Sequence, residues 1–129
     1  MVNSAVTVSP AELAGALRRA GITEAETATR RRAEYSSDAS NYRVVPAVVV
    51  FPRHADEIEA ALAVCTELGV PLTPRGGGTS IAGNALSSGV VLDTSRHLNR
   101  VISVDPQTRT AIAEPVITSS STTLSAVRP

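Results

Sequence analysis

The spacing of apolar positions changes several times along this chain of 129 residues. Near the front, Leu13, Leu17 and Ala20 recur at helical spacing, with end signals on both sides. Ser9 suits the N-cap, Pro10 the first helical position, and Glu12 completes a capping box. Val8 and Leu13 have the spacing of a hydrophobic staple, and Gly21 is a stop signal. The pattern predicts a helix over 9–21. Thr23 and Glu26 repeat the capping-box spacing, which predicts a second helix from Thr23 to Ala33 with Arg30-Arg31-Arg32 solvated. Tyr35 to Tyr42 (YSSDASNY) reads as a polar loop.

From Val44 the period shortens. Val48-Val49-Val50-Phe51, bounded by Pro46 and Pro52, is a short β-branched run of the kind that forms a buried strand. Helical spacing returns over 55–68 through Ile58, Ala61, Leu62, Cys65 and Leu68. Asp56, Glu57 and Glu59 lie near the positive end of that helix, and Gly69 ends it. Val70 to Pro74 then reads as a strand, which makes a βαβ unit with two parallel strands. Gly89 to Asp93, Arg100 to Val104 and Arg109 to Ala113 are further strands. The last two flank Asp105-Pro106-Gln107-Thr108, a turn sequence that predicts an antiparallel hairpin. The expected fold class is α+β, a small parallel βαβ sheet plus an antiparallel hairpin. Thr118 to Ser125 is almost wholly hydroxyl residues, leaving Leu124, Ala126 and Val127 to dock, so a frayed C-terminus is expected.

Composition narrows this picture. Hydrophobic residues make up 43% but aromatic residues only 2%, so small aliphatic side chains must fill the core. Formal net charge is +0, which supplies no basic field for nucleic acid. All 12 basic residues are arginine, a usage that a GC-rich genome explains. The single Cys65 allows no internal disulfide and no zinc spacing, in keeping with a reducing cytoplasm. The N-terminus shows no basic and apolar leader pattern, and no apolar run nears the ~20 residues of a membrane span. A cytoplasmic protein without a transmembrane segment is expected.

The segment that carries chemistry is Pro74-Arg75-Gly76-Gly77-Gly78-Thr79-Ser80-Ile81-Ala82-Gly83-Asn84. Three glycines in a row permit positive φ and let successive N–H groups converge on an anion. Thr79 and Ser80 add hydroxyl donors, and Gly83 and Asn84 offer a second turn opposite. A P-loop would need a lysine, and this chain has none. The dinucleotide fingerprint meets Ile81 where its third glycine belongs. On these residues alone, an anion cradle and a merely structural turn both stand. So do inward and outward directions for the Arg75 side chain. A valine at Gly77 is expected to fill the nest and forbid its backbone angles.

The wider segment from Tyr35 to Pro115 contains YSSDASNYRVVP, PRGGGTS and GVVLDTSRHLNRV. It resembles the PCMH-type FAD-binding domain of FAD-linked oxidases, the family of D-lactate dehydrogenases, the glycolate oxidase flavin subunit and vanillyl-alcohol oxidase. The resemblance implies the first subdomain of that fold, truncated. It divides the chain into an N-terminal helical extension (1–34), a partial FAD-binding domain (35–115) and an atypical, disordered tail (116–129). It also implies that Arg75, Gly76, Gly77, Gly78, Thr79 and Ser80 wrap the FAD diphosphate through backbone amides. Pro74 would set the approach, and Gly83 and Asn84 would assist. Members with covalent flavin carry a histidine after the glycines; Thr79 stands there, which implies non-covalent FAD. Asp38 and Tyr42 match a segment near the domain entrance without an assignable contact.

The family continues with a Pro-Gly-Val turn, whereas Val116 follows Pro115 here. Its later flavin segment and substrate-capping domain find no match, so a gene whose reading frame changes near Pro115 is the expected cause. No catalytic residue and no metal ligand is expected within the chain. His54, His97, Asp93 and Arg96 read as structural, and Cys65 as core. The function implied is the FAD-binding portion of a flavin-dependent oxidoreductase acting on a 2-hydroxy acid such as D-lactate or glycolate, inactive as an isolated fragment. A downstream chain completing the flavin domain is the partner that reading implies. A non-catalytic nucleotide-binding module and a non-functional gene remnant are the alternatives.

Overall fold

The computed structural model describes residues 7–116. Its elements are α1 (Pro10–Arg19), β1 (Ala25–Glu26), α2 (Thr29–Glu34), β2 (Val48–Val50), α3 (Ala55–Leu68), β3 (Leu72–Arg75), β4 (Val90–Asp93), β5 (Val101–Asp105) and β6 (Thr110–Ala113). The capping box that opens α1 is formed. Ser9 Oγ accepts from the Glu12 amide, and the Ser9 amide donates to Glu12 Oε2 at 2.9 Å. The apolar stripe of α1 differs by one position from expectation: Leu13, Ala14 and Leu17 are buried, while Ala20 is exposed. Gly21, at φ 101°, turns the chain out of the helix.

The helix expected from Thr23 does not form there. Thr23 spends its amide and hydroxyl on Glu57 Oε1, at 3.3 and 2.9 Å, and leaves Glu26 without a cap to close. Ala25 and Glu26 instead pair antiparallel with Val50 and Val49, and the helix begins only at Thr29. A partner distant in sequence has overridden a local signal. The arginines of α2 are not uniformly solvated either. Arg31 bonds Glu26 and Glu34, and Arg32 Nε donates to the Pro46 carbonyl.

The main sheet has the order β1-β2-β4-β3. β2 and β3 are parallel, as their βαβ connection predicts, but both pair with β4, which lies between them. Val48, Val50, Val90 and Leu92 join Leu13, Leu17, Ala61 and Cys65 in one cluster of buried side chains. Val49, Val91 and Phe51 are also fully buried. Ile22 and Ala25, from the segment expected to be an extension, belong to the same cluster. β5 and β6 pair only with each other, as the turn signal predicted, and Asp105 Oδ1 accepts from the Gln107 and Thr108 amides in that turn. The predicted fraying of 118–125, with Leu124, Ala126 and Val127, lies outside the described residues.

Candidate functional site

Parallel pairing sends the C-terminal ends of β2, β3 and β4 to one edge of the sheet. Ligands of such sheets sit off that edge, where loops rather than side-chain layers cover the strands. Three segments leave from it: 51–54, 76–84 and 94–99. The expected site residues fall on the middle one and on the end of β3. Pro74 and Arg75 are strand residues in register with Leu92 and Asp93. The Arg75 carbonyl is held by the Thr94 amide at 3.0 Å and the Thr94 hydroxyl at 3.3 Å.

Beyond Arg75 the chain bends. The amides of Gly77, Gly78, Thr79 and Ser80 donate to no other described residue. Ser80 Oγ instead accepts from the Ala82 and Asn84 amides at 3.3 and 3.1 Å, which closes the far side of the bend. Of the three consecutive glycines only Gly78 has positive φ, at 67°. A Cβ there would meet the Arg75 guanidinium, 2.8 Å from Cζ. A Cβ on Gly77 would touch only Thr79 Cγ2, at an ordinary 3.5 Å. The glycine whose backbone angle disfavours a side chain is therefore Gly78, not Gly77. Gly83, at φ 80°, lies against the Tyr42 ring. These features suit a diphosphate: unpartnered amides beside two hydroxyls, on a backbone that a side chain at Gly78 would block.

The polar segment 35–42 forms the floor of this bend, a role its sequence does not announce. Arg75 Nη1 donates to the Ser37 carbonyl at 2.9 Å, and Arg75 Cζ lies 4.9 Å from the Tyr35 ring centroid. The Tyr35 hydroxyl donates to Asp93 Oδ2, while Asp93 Oδ1 accepts from the Ser95 amide at 2.7 Å. Burial, with the Asp93 carboxylate next, pushes the Tyr35 hydroxyl far above its ordinary pKa and keeps it a donor. Asp38 accepts from Ser40 and reaches the Ala85 amide at 3.4 Å. The Ser40 hydroxyl, chiefly, holds the Asp38 carboxyl below its usual range. Asp38 and Tyr42 thus brace the loop at Ala85 and Gly83.

Sequence reading also missed a cluster on the same edge. Glu24 accepts from Arg53, Arg96 and His97 at 3.1, 3.0 and 2.9 Å. Burial works to raise the Glu24 pKa, but these three partners outweigh it and the net direction is down. Arg96 also stacks 3.6 Å over the Phe51 ring. His97, Asp93 and Arg96 are thus bound up in packing, as expected. His54 is the N-cap residue of α3 and is exposed. Cys65 is buried, and burial pushes its thiol up to about 11, so it is inert at neutral pH. Among the described residues no group of three His, Cys, Asp or Glu could hold a metal ion. No described helix is long and apolar enough to cross a membrane.

Three parallel strands of a mixed sheet thus present an exposed main-chain bend at their carboxyl edge, the place where open sheets bind ligands. The particular class follows from comparison. The family model described as "FAD binding domain" matches residues 46–121, and the chain belongs to that family. It is 40% identical over 87 residues to glycolate oxidase subunit GlcD of Bacillus subtilis, covering 65% of this chain and 18% of that protein. It is 36% identical over 95 residues to D-2-hydroxyglutarate dehydrogenase of Escherichia coli, covering 70% of this chain and 9% of that protein. In structure it resembles 4-ethylphenol oxidase of Gulosibacter chungangensis, with a TM-score of 0.71 and 17% identity over 91% of this chain and 24% of that one. The chain therefore spans a quarter or less of the proteins it matches. The first subdomain of the PCMH-type fold, expected from sequence, is the fold observed. The family match continues past Pro115, and Val116 packs back toward the bend, its Cγ2 3.7 Å from the Cβ position of Gly76.

Proposed function

We propose that residues 74–84 hold the diphosphate of FAD, without a covalent link, within an oxidoreductase acting on a 2-hydroxy acid. The single observation that carries this reading is the run of four amides, Gly77 to Ser80, that donate to no other described residue. Thr79 and Ser80 add hydroxyl donors, Gly76 and Gly83 let the bend pack against Val116 and Tyr42, and Pro74, Arg75 and Asn84 anchor its two ends. Thr79 supplies a hydroxyl where covalent members carry an imidazole, which favours reversible binding. The substrate class rests on the relatives named glycolate oxidase subunit and D-2-hydroxyglutarate dehydrogenase.

The flavin, when bound, supplies the hydride-accepting chemistry; this chain binds and orients it. We assign that task to 35–115, with the described part of the 1–34 segment packed against it. Among the described residues none is placed as a catalytic acid or base. In this reading 35–115 is inactive by itself, and a further polypeptide completing the flavin domain supplies the substrate groups. The buried free thiol suits a cytoplasmic setting.

Competition for FAD, followed by flavin fluorescence, tests the reading. ADP, which carries a diphosphate, should compete, and riboflavin, which carries none, should not. Gly78→Val should abolish binding, because a β-branched residue at this φ is strained and its side chain meets Arg75. Competition by riboflavin as strong as by ADP, or unchanged FAD affinity in Gly78→Val, would overturn it.

A further inference from the structure

We propose that the Arg75 side chain is a positioning residue: it props the bend from beneath and does not meet the phosphates as a charge. The inference rests on the diphosphate reading for its functional consequence, but its geometry is independent of any ligand. Arginine beside a glycine-rich loop invites the opposite expectation, since a guanidinium is the usual partner of phosphate. Here one arm of the fork is already engaged. Nη1 is bonded to the Ser37 carbonyl at 2.9 Å, and Cζ lies over the Tyr35 ring, 4.9 Å from its centroid. Tyr35 is in turn fixed edge-on against buried Phe51, at 5.8 Å, and by its hydroxyl on Asp93.

The guanidinium also fills the space where a Cβ of residue 78 would stand, with Cζ and Nε at 2.8 and 3.0 Å. Gly78 is the one member of the glycine triplet with positive φ. The strut therefore stands directly under the residue on which the bend turns. It ties that residue, through Tyr35 and Phe51, to the buried sheet. Lysine has the same charge but neither the planar stack nor the fork, so it cannot do this work. The arrangement also explains why the triplet needs glycine at its third position: a side chain there and the Arg75 guanidinium would compete for one volume.

Two measurements on the whole chain test the proposal, one of them without ligand. In the ligand-free chain, 15N relaxation and amide exchange at Gly77 to Ser80 should report a looser bend in both Arg75→Ala and Arg75→Lys. The buried strands should remain as protected as in the parent, which separates loop loosening from unfolding. Tyr35→Leu, which removes the stack and leaves Arg75 in place, should loosen the same amides. Ethylguanidinium added to Arg75→Ala should restore their order, and ethylammonium should not. In FAD titrations both Arg75 variants should bind about tenfold more weakly, the scale of one stacked, hydrogen-bonded cation. Parent-like loop order in Arg75→Ala, or parent-like loop order and FAD affinity in Arg75→Lys, would overturn the proposal. If the parent chain itself failed to bind FAD while the variants loosened the bend, the diphosphate reading would fall and the strut would stand.

Discussion

The two sheets of this domain are built on opposite terms. β2 and β4 are wholly buried, and every residue in them is covered by helices, loops or neighbouring strands. β5 and β6 form a hairpin in which every residue is exposed, Val101, Ile102, Val104 and Ile112 included. The first sheet is held by burial. The second is held by its own ladder, a turn closed by Asp105, and the pairing of Arg100 with Glu114 at 2.8 Å. A lone hairpin is marginal in water. Propensity and turn chemistry thus suffice to shape an element, but area removed from water decides how firmly it is held. The candidate site is borne by the first sheet, at the end of edge strand β3, which pairs along its length with buried β4.

Paired substitutions should break the comparison most visibly. Leu92→Ala, in the buried strand, should lose about 2–5 kcal/mol of stability in urea unfolding. Ile112→Ala, in the hairpin, should change it by no more than about 0.5 kcal/mol. Equal losses at both would mean that the hairpin has a core of its own.

A smaller effect is expected at Gly89, just before β4. A Cβ there would press on the Pro71 carbonyl oxygen and stand 2.7 Å from Val70 Cγ1, so backbone must move to admit it. Gly89→Ala should destabilise by about 1–3 kcal/mol in the same assay.

The smallest effect is one of pH. Burial alone would raise the Glu57 pKa, but the Arg53 amide and the Thr23 hydroxyl and amide outweigh it and hold it below its ordinary 4.5. A lowered carboxylate pKa adds stability that is present above 4.5 and lost as pH falls through the folded-state value. Glu57→Gln should therefore flatten the acid limb of a stability–pH curve. Glu114→Gln, whose partner Arg100 is mostly exposed, should flatten it less.

Local signals made much of this fold legible in the sequence. The Ser9-Pro10-Glu12 cap, the Val48–Phe51 run, the 55–68 stripe and the Asp105-Pro106 turn all act within a few residues, and each element formed where its signal lay, although Leu62 of the stripe is exposed and Glu57 is buried. What stayed hidden depends on partners far apart in the chain. Thr23 looked like a cap until Glu57 claimed it. Nothing in the local pattern of Val90 to Asp93 says that β4 enters between β2 and β3. At the site, the glycine run marked the bend, but its residues could not say which glycine bears the strain. That depends on where Arg75 turns, and Arg75 is fixed by Ser37 and Tyr35 from a segment that reads only as polar loop.

The central claim is that main-chain amides in this bend receive the phosphates of the cofactor. Titrating FAD into 15N-labelled chain while following each amide resonance tests it most directly. The account predicts saturable shifts centred on Gly77, Gly78, Thr79 and Ser80, reproduced by ADP. Saturable FAD binding that leaves those four resonances in place, or no saturable shift anywhere, would contradict it.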